Sequence, residues 1–392
     1  MLMVTNEKAD IRSTIPSGRF SARTTRRKPD ASPHCGGLGF HDHPFASRSK
    51  RGCRVSADVE QESLLRHYPF VGFFCVRVCA TVAMQIQSVA VGWQMYSLTG
   101  SPLDLGLVGL AQFLPAMLLF LLTGHVADRY DRRIVLRICQ TAEALAVATL
   151  AWGTAAGWLN RELILAIALV LGAARAFEAP SLSSLLPTIV PATIFPRAVA
   201  GSASANQFAT IAGPALGGLL YAVSPVGAYV TSAALYFAAS LLVGFIPLMI
   251  AAAKRDRFSI QSLFAGFTFI RRQPIVLGAI SLDLFAVLLG GATALLPVFA
   301  RDVLHTDAAG LGLLRACPAV GALTTSIVLT RWPLRAGVGR IMYVCVCLFG
   351  AATIVFSLST WLPLSMASLM LLGCADLISV VIRSTLVQLS TP

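Results

Sequence analysis

The sequence predicts an all-α polytopic membrane protein, on the basis of its composition, its apolar runs and the placement of its charges. Of its 392 residues, 56% are hydrophobic and 12% are charged, whereas soluble domains have about 45–50% apolar and about 25% charged residues. A mean hydropathy of +0.73 leaves too little polar surface to cover soluble cores. The bilayer is therefore the expected solvent for most of the chain.

Residues 1–66 differ from the rest of the chain. They hold 12 Lys or Arg and 7 Asp or Glu and show no apolar periodicity, which is typical of disorder. We interpret them as a disordered basic cytoplasmic head. A transit peptide and a translation start nearer the first span are the alternatives. Nucleic-acid binding is not expected, because aromatic residues do not interleave with the basic ones.

Ten apolar runs follow the head, each close to the about 20 residues that an α-helix needs to cross the hydrocarbon. The predicted spans are Tyr68–Tyr96, Leu103–Thr123, Ile134–Gly157, Leu163–Leu186, Ala198–Val223, Val226–Ile250, Ile275–Phe299, Leu311–Thr330, Val338–Leu358 and Leu362–Arg383. They predict a six-helix half over residues 67–250 and a four-helix half over residues 275–392.

The chain between the two halves, residues 251–274, carries apolar residues at helical spacing, including Phe258, Leu263 and Phe267. Arginines flank this stretch, so we expect an amphipathic cytoplasmic linker on the inner membrane surface. A plain solvated linker is the alternative.

Positive charge lies on one side of the predicted spans. One set of loops holds twelve basic residues and the other holds only Arg161 and Arg301. The larger set is Arg129, Arg132, Arg133, Arg197, Lys254, Arg255, Arg257, Arg271, Arg272, Arg331, Arg335 and Arg340. Because basic loops stay on the cytoplasmic side, we expect the head and the larger set to lie inside.

The most specific motif is the predicted loop between the second and third spans, where the chain reads GHVADRYDRR from residue 124. It resembles the G-x-L-A-D-R-x-G-R-R signature of the major facilitator superfamily, with Val126 and Asp131 departing from the pattern. The resemblance implies a gating motif made of Gly124, Asp128, Arg129, Arg132 and Arg133.

A second motif lies in the fifth span, where Gly213, Pro214, Gly217 and Gly218 resemble the antiporter-type motif G-x-x-x-G-P-x-x-G-G of the same superfamily. Ala209 stands where the first Gly is expected. Small residues one turn apart favour close helix contact. The alternative interpretation is ordinary small-residue packing without a part in gating.

The fourth span, with Arg175-Ala-Phe-Glu178-Ala-Pro180, resembles the drug- and siderophore-exporting branch of the superfamily, which includes enterobactin exporters. This resemblance implies a secondary transporter of the bacterial inner membrane that exports a small molecule by alternating access, with protons as coupling ion. An uptake porter and a truncated, non-transporting membrane protein are the alternatives. We expect a monomer.

The superfamily has twelve helices in two six-helix halves, and this chain has ten predicted spans. The resemblance therefore implies an incomplete C-terminal half, from which helices eleven and twelve are missing. We expect the sequence to be either a fragment or a truncated gene product.

Seven charged residues lie four or more residues from either end of a predicted span, where each charge costs about 2.5–3.5 kcal/mol on insertion scales. They are Arg77, Glu143, Arg175, Glu178, Asp283, Arg315 and Asp376. Arg175 and Glu178, three residues apart, are expected to neutralise each other on one helix face. We predict Glu178 and Asp283 as proton-coupling residues, because burial favours a protonated carboxyl. A static salt bridge for Glu178 and a helix–helix hydrogen bond for Asp283 are the alternatives.

Polar side chains on the first, fourth and fifth spans are candidates for contact with a substrate. They are Arg77, Gln85, Gln87, Arg175, Asn206 and Gln207. Amide and guanidinium groups are suited to bind polar or anionic groups. Polar packing between helices is the alternative interpretation.

Several other classes are excluded or not expected. None of the four Lys lies in a G-x-x-x-x-G-K-[ST] loop and no H-E-x-x-H occurs, so neither an ATP-driven pump nor a common metalloprotease is indicated. The cysteines of the apolar runs have no metal-binding spacing. We expect no catalytic residue, metal or cofactor.

Overall fold

The computed structural model describes residues 68–191, 193–247, 291–332 and 338–390, with the isolated positions 277, 278, 281 and 284. All regular secondary structure in these ranges is helical. The predicted head and linker and the candidate Asp283 lie outside the described residues.

The N-terminal half contains six helices in the order that hydropathy predicts. They are α1 (Tyr68–Thr99), α2 (Pro102–Arg129), α3 (Arg132–Ala156), α4 (Arg161–Ile189), α5 (Phe195–Val223) and α6 (Pro225–Gly244).

The described part of the C-terminal half contains four helical elements. The first, α7, is a 3-10 turn (Gly291–Leu295), an α-turn (Leu296–Val298) and a π-turn (Phe299–Val303) in succession. It is followed by α8 (Ala308–Arg331), α9 (Val338–Leu358) and α10 (Leu362–Ser390).

Short polar residues start several of these helices. The side chains of Asp131, Asn160, Ser224 and Asp307 accept backbone N–H bonds at the first turns of α3, α4, α6 and α8. Each cap satisfies a donor that lacks a partner within the helix. Gly157, with a positive φ of 72°, ends α3 in the left-handed conformation.

The second helix is longer than hydropathy predicts. The prediction that a loop begins at Gly124 is wrong, because α2 continues to Arg129 and the chain turns at Tyr130 and Asp131. Hydropathy marks only the part of a helix that lies in hydrocarbon, whereas backbone hydrogen bonding continues into the polar interface.

Eight of the described helices are long and apolar enough to cross a membrane. The fifth helix has sufficient length but is not among them. Its inner portion contains Ser202, Asn206, Gln207 and Thr210, which lower its hydropathy. The seventh predicted span falls largely outside the described residues. The result is a multi-pass helical membrane protein.

Glycines set the closest helix crossings. A methyl group on Gly172 would overlap the α2 backbone at Gln112. Gly321 of α8 and Gly373 of α10 likewise face each other's helix with no room for a side chain. Without a hydrophobic force between helices in lipid, such close backbone packing supplies much of the association.

Candidate functional site

A buried ion pair lies within the N-terminal half. Arg175 of α4 places its Nε 4.0 Å from the Oε1 of Glu143 on α3, and the Glu143 side chain has 0% exposure. The Arg175 Nη atoms donate to Gln87 Oε1 of α1, at 2.9 Å, and to Gln112 Oε1 of α2, at 3.1 Å. Four helices therefore meet at one guanidinium.

The predicted pair between Arg175 and Glu178 is wrong. Glu178 accepts a hydrogen bond from Gln140 Nε2 of α3, at 3.2 Å, and Arg175 has its carboxylate contact with Glu143. Spacing along α4 allows a local pair, but the bundle offers partners on neighbouring helices. The choice of partner was therefore not a local property.

Glu143 is one of the seven predicted intramembrane charges but is not among the predicted site residues. In the structure, neither of its carboxylate oxygens has a hydrogen-bond partner among the described groups, and the same holds for the Tyr236 hydroxyl of α6. A buried carboxyl without hydrogen bonds strongly favours its neutral form unless a cation is close. The only sequence signal for Glu143 was its position inside an apolar run.

Arg175 and Gln112 also line an open cavity of about 530 Å³ between α2 and α4. Its remaining lining is mostly small, from Gly109 and Ala116 to Ala176. The Arg175 guanidinium therefore faces accessible space while it holds Glu143. The cavity is therefore bordered by Arg175, whose carboxylate partner Glu143 lies buried behind it.

The predicted substrate-contacting amides lie between helices. Gln85 Nε2 is 3.5 Å from the carbonyl oxygen of Thr210, and Asn206 Oδ1 accepts a hydrogen bond from Thr81 at 3.5 Å. Gln207 Nε2 donates to the carbonyl oxygen of Ala319 at 2.9 Å. These three contacts follow the α1–α5 and α5–α8 seams, so in this state they correspond to polar packing.

Two other predicted candidates, Arg77 and Gln87, lie on α1 on the side of the buried cluster. Gln87 is fully buried and accepts from Arg175. Arg77 interacts electrostatically with Glu178, and its Nε has no hydrogen-bond partner among the described groups. The structure therefore brings Arg77, Gln87, Arg175 and Glu178 into one neighbourhood.

The described part of the gating motif joins three helices at one end of the bundle. Arg132 Nη1 donates to the Ser184 carbonyl of α4 at 2.8 Å, and Arg133 Nη1 donates to the Ile246 carbonyl beyond α6 at 3.0 Å. Arg133 also pairs with Asp131 at 3.0 Å. The guanidinium of Arg133 holds the pKa of Asp131 below its usual range. Gly124, Asp128 and Arg129 belong to α2, and their surroundings lie outside the described side chains.

The antiporter-type motif places α5 between the two halves. A side chain on Gly213 or Gly217 would overlap Gln85 and Ile86 of α1. One on Gly218 would instead overlap the α8 backbone at Ala308, and Pro214 lies opposite Gly312 of α8. Small residues on two faces of α5 thus let one helix contact both halves.

The ends of α1 and α7 are tied together by polar contacts. The Tyr96 hydroxyl donates to Asp302, and the Arg301 guanidinium donates to the Tyr96 carbonyl oxygen at 3.3 Å. The Arg301 guanidinium carbon also lies 5.7 Å from the Tyr96 ring centroid. Together with the Gly218–Gly312 crossing, these contacts close the two halves at the end of the bundle that holds Thr99 and Val223.

Comparison with known proteins decides the family. The profile of the family described as transmembrane secretion effector, within the major facilitator superfamily, matches residues 62–392. The chain belongs to this family. As a major facilitator transporter, it is a membrane transport protein and not an enzyme.

Curated relatives of this transporter include exporters. It is 26% identical to the enterobactin exporter EntS of Citrobacter koseri over 336 residues, which cover 84% of this chain and 80% of the relative. It is 24% identical to the MFS-type transporter YfiS of Bacillus subtilis over 277 residues, covering 68% of this chain and 62% of the relative. The predicted resemblance to the siderophore- and drug-exporter branch is confirmed.

Solved structures share the fold. A bacterial homologue of the human lysosomal transporter Spinster, in an inward-facing conformation, superposes with a TM-score of 0.64 at 13% identity, covering 82% of this chain and 74% of that protein. A bacterial homologue of the iron transporter ferroportin gives a TM-score of 0.63 at 15% identity, with coverages of 84% and 86%. The predicted major facilitator fold is therefore confirmed.

Proposed function

We propose that this transporter exports a small, drug- or siderophore-like molecule across the bacterial inner membrane in exchange for protons, by alternating access. The observation that carries the proposal is the buried cluster of Glu143, Arg175 and Glu178, which lies beside an open cavity between α2 and α4. The family and the enterobactin-exporting relatives support export as the direction.

The chemistry of the cluster suits proton exchange. Glu178 is a half-buried residue, whereas the side chain of Glu143 is fully buried against Arg175. Burial favours a protonated carboxyl, and a nearby guanidinium favours the ionised form. A change in the distance between Arg175 and either carboxyl would therefore bind or release a proton. We propose Glu178 as the accessible proton carrier, with Asp283 as the further predicted one.

The other predicted motifs have proposed roles in the same cycle. Arg132 and Arg133 hold the cytoplasmic ends of α3, α4 and α6 together, and the glycines of α5 form the surface on which the two halves rock. The basic loops support a cytoplasmic N-terminus. The proposed functional unit is the monomer.

The test is transport into inverted membrane vesicles that contain the full chain, with enterobactin as the probe. We expect uptake that requires an acidic vesicle interior and is lost when a protonophore collapses the gradient. Glu178→Gln should lose gradient-driven uptake, and Glu178→Asp should retain part of it. Glu162→Gln, at the exposed start of α4, is the matched control.

Three results would contradict the proposal in different ways. Uptake by right-side-out vesicles alone would indicate an uptake porter. A Glu178→Gln variant with unchanged gradient-driven uptake would remove Glu178 as proton carrier. Absence of transport of enterobactin and of a panel of cationic and anionic dyes, in either vesicle orientation, would favour the non-transporting alternative.

A further inference from the structure

A second buried arginine, Arg315, lies where the two halves meet. It is on α8, about 10 Å along the helix from Ala308 at about 1.5 Å per residue. Its Nη1 donates to the Ser88 Oγ of α1 at 2.8 Å. A methyl group on Gly92, one turn further along α1, would lie 3.1 Å from Arg315 Nη2 and 3.5 Å from Pro297 of α7. The guanidinium therefore occupies a space bounded by α1, α7 and α8.

The charge of Arg315 is not balanced by the described residues. No carboxylate among the described side chains lies within 4.0 Å of its guanidinium, and Ser88, its hydrogen-bond partner, is neutral. Asp376, the described acidic residue inside α10, forms no ion pair with it. A guanidinium has five N–H donors, of which the described contacts use one.

Arg315 is not completely enclosed by its neighbours. The guanidinium is surrounded by protein, yet the residue keeps part of its surface accessible. A charged side chain at this depth is costly unless it pairs or faces a polar cavity. Its location between α1 and α8 places it where movement of one half against the other would change its surroundings.

We propose that Arg315, together with Ser88, forms an anion-recognition subsite for the transported molecule, and that small molecules bearing a carboxylate are among the substrates. This inference rests on the proposed transport function. The guanidinium would bind a carboxylate through two parallel N–H bonds, a geometry that a planar guanidinium provides and an ammonium does not. Ser88 orients the guanidinium from the α1 side, and Gly92 leaves room for it.

The experiment uses the purified full chain in lipid nanodiscs, with benzoate and benzamide as probes of matched size. In the unaltered protein, benzoate should bind more tightly than benzamide by about tenfold or more, the range of a charge-assisted bidentate bond. Arg315→Gln should abolish this preference and Arg315→Lys should weaken it. Arg340→Gln, which removes an exposed charge at the start of α9, should leave it unchanged. Equal binding of the two probes, or a preference that survives Arg315→Gln, would overturn the proposal.

A second measurement needs no folded Arg315 variant. Phenylglyoxal modifies accessible arginines, and mass spectrometry follows its rate at Arg315 in the unaltered chain. We expect benzoate, and not benzamide, to slow that modification severalfold. If benzoate has no effect and Asp283→Asn alone makes Arg315 reactive, Arg315 belongs to a static internal ion pair and the proposal is wrong. Protection without gradient-driven export would instead contradict only the proposed function.

Discussion

Two arginines contact different faces of α1 and meet different environments. Arg175 of α4 contacts the buried Glu143 and two amide oxygens within the N-terminal half. Arg315 of α8 reaches across to the other half and hydrogen-bonds to Ser88. Their α1 partners, Gln87 and Ser88, are adjacent in the chain and therefore face different neighbours.

The difference separates two uses of a charge in a membrane. A guanidinium with its counter-charge in the same half is neutralised without any contribution from the other half. A guanidinium at the seam without a described counter-charge depends on a ligand or on the opposite half for its neutralisation. This difference supports a stabilising role for Arg175 within the N-terminal half and agrees with the proposed recognition of substrate by Arg315.

The largest expected effect comes from breaking the buried pair. Glu143→Ala leaves the Arg175 charge without its carboxylate, and loss of one partner of a buried pair costs about 3–5 kcal/mol. We expect a fall of this size in the free energy of unfolding, measured in mixed micelles with increasing SDS. Glu143→Gln, which keeps the volume, should cost less than the Ala variant. Glu162→Gln, an exposed change on α4, serves as control. Equal stability of Glu143→Ala and the unaltered chain would show that Arg175 is not neutralised by Glu143.

A smaller loss of stability is expected at the contact between α5 and α8, where the two halves meet. Gly218→Ala places a methyl group against the α8 backbone at Ala308 and Gly312, and overpacking of this kind costs about 1–3 kcal/mol. We expect lower stability in the same assay and a larger separation of α5 and α8 in spin-label distance measurements. Gly106→Ala is the control, since a methyl group there meets nothing within 4 Å. Identical distances in the two variants would mean that this crossing does not hold the halves together.

The smallest effect is expected for a pair at the edge of the bundle, Asp131 and Arg133, which are each about one-third exposed. Asp131→Ala removes the N-cap of α3, which is worth about 1 kcal/mol. Because Arg133 lowers the pKa of Asp131, this stability is present above the unfolded pKa of about 3.9 and is lost as pH falls through the folded value.

The stability difference between Asp131→Ala and the unaltered chain should therefore be constant from pH 7 to pH 5 and shrink below about pH 4. Unfolding curves measured across that range test it. A difference that grows on acidification would show that Asp131 is stabilised in its protonated form, contrary to its contact with Arg133.

Most of the fold was predictable because membrane insertion is a local property of the sequence. The predicted span Val338–Leu358 coincides with α9, and the other described helices begin or end within several residues of the predicted bounds. The prediction failed at Gly124, where polarity was taken for a loop. The polar end of a helix can extend into the headgroup region of the membrane, so hydropathy does not show where the helix ends.

The candidate site was predictable only in part. The cost of charge in hydrocarbon marked Arg175, Glu178 and Arg315 as unusual, and residue type suggested what each can bind. The pairing of Arg175 with Glu143, which lies 32 residues earlier on α3, and the bond from Arg315 to Ser88 on α1 could not be deduced. Such contacts depend on the rotation of each helix about its axis and on the angle at which helices cross. Both are set in part by glycines that lie far apart in the chain.

The sequence by itself determined that this chain is a helical membrane protein of the major facilitator type, since hydropathy, charge bias and loop motifs are read within one segment at a time. Only the tertiary structure decided which buried charge is neutralised and which is not. The physical reason is that the energy of an ion in a bilayer depends on the few ångströms around it, and its neighbours there come from distant helices.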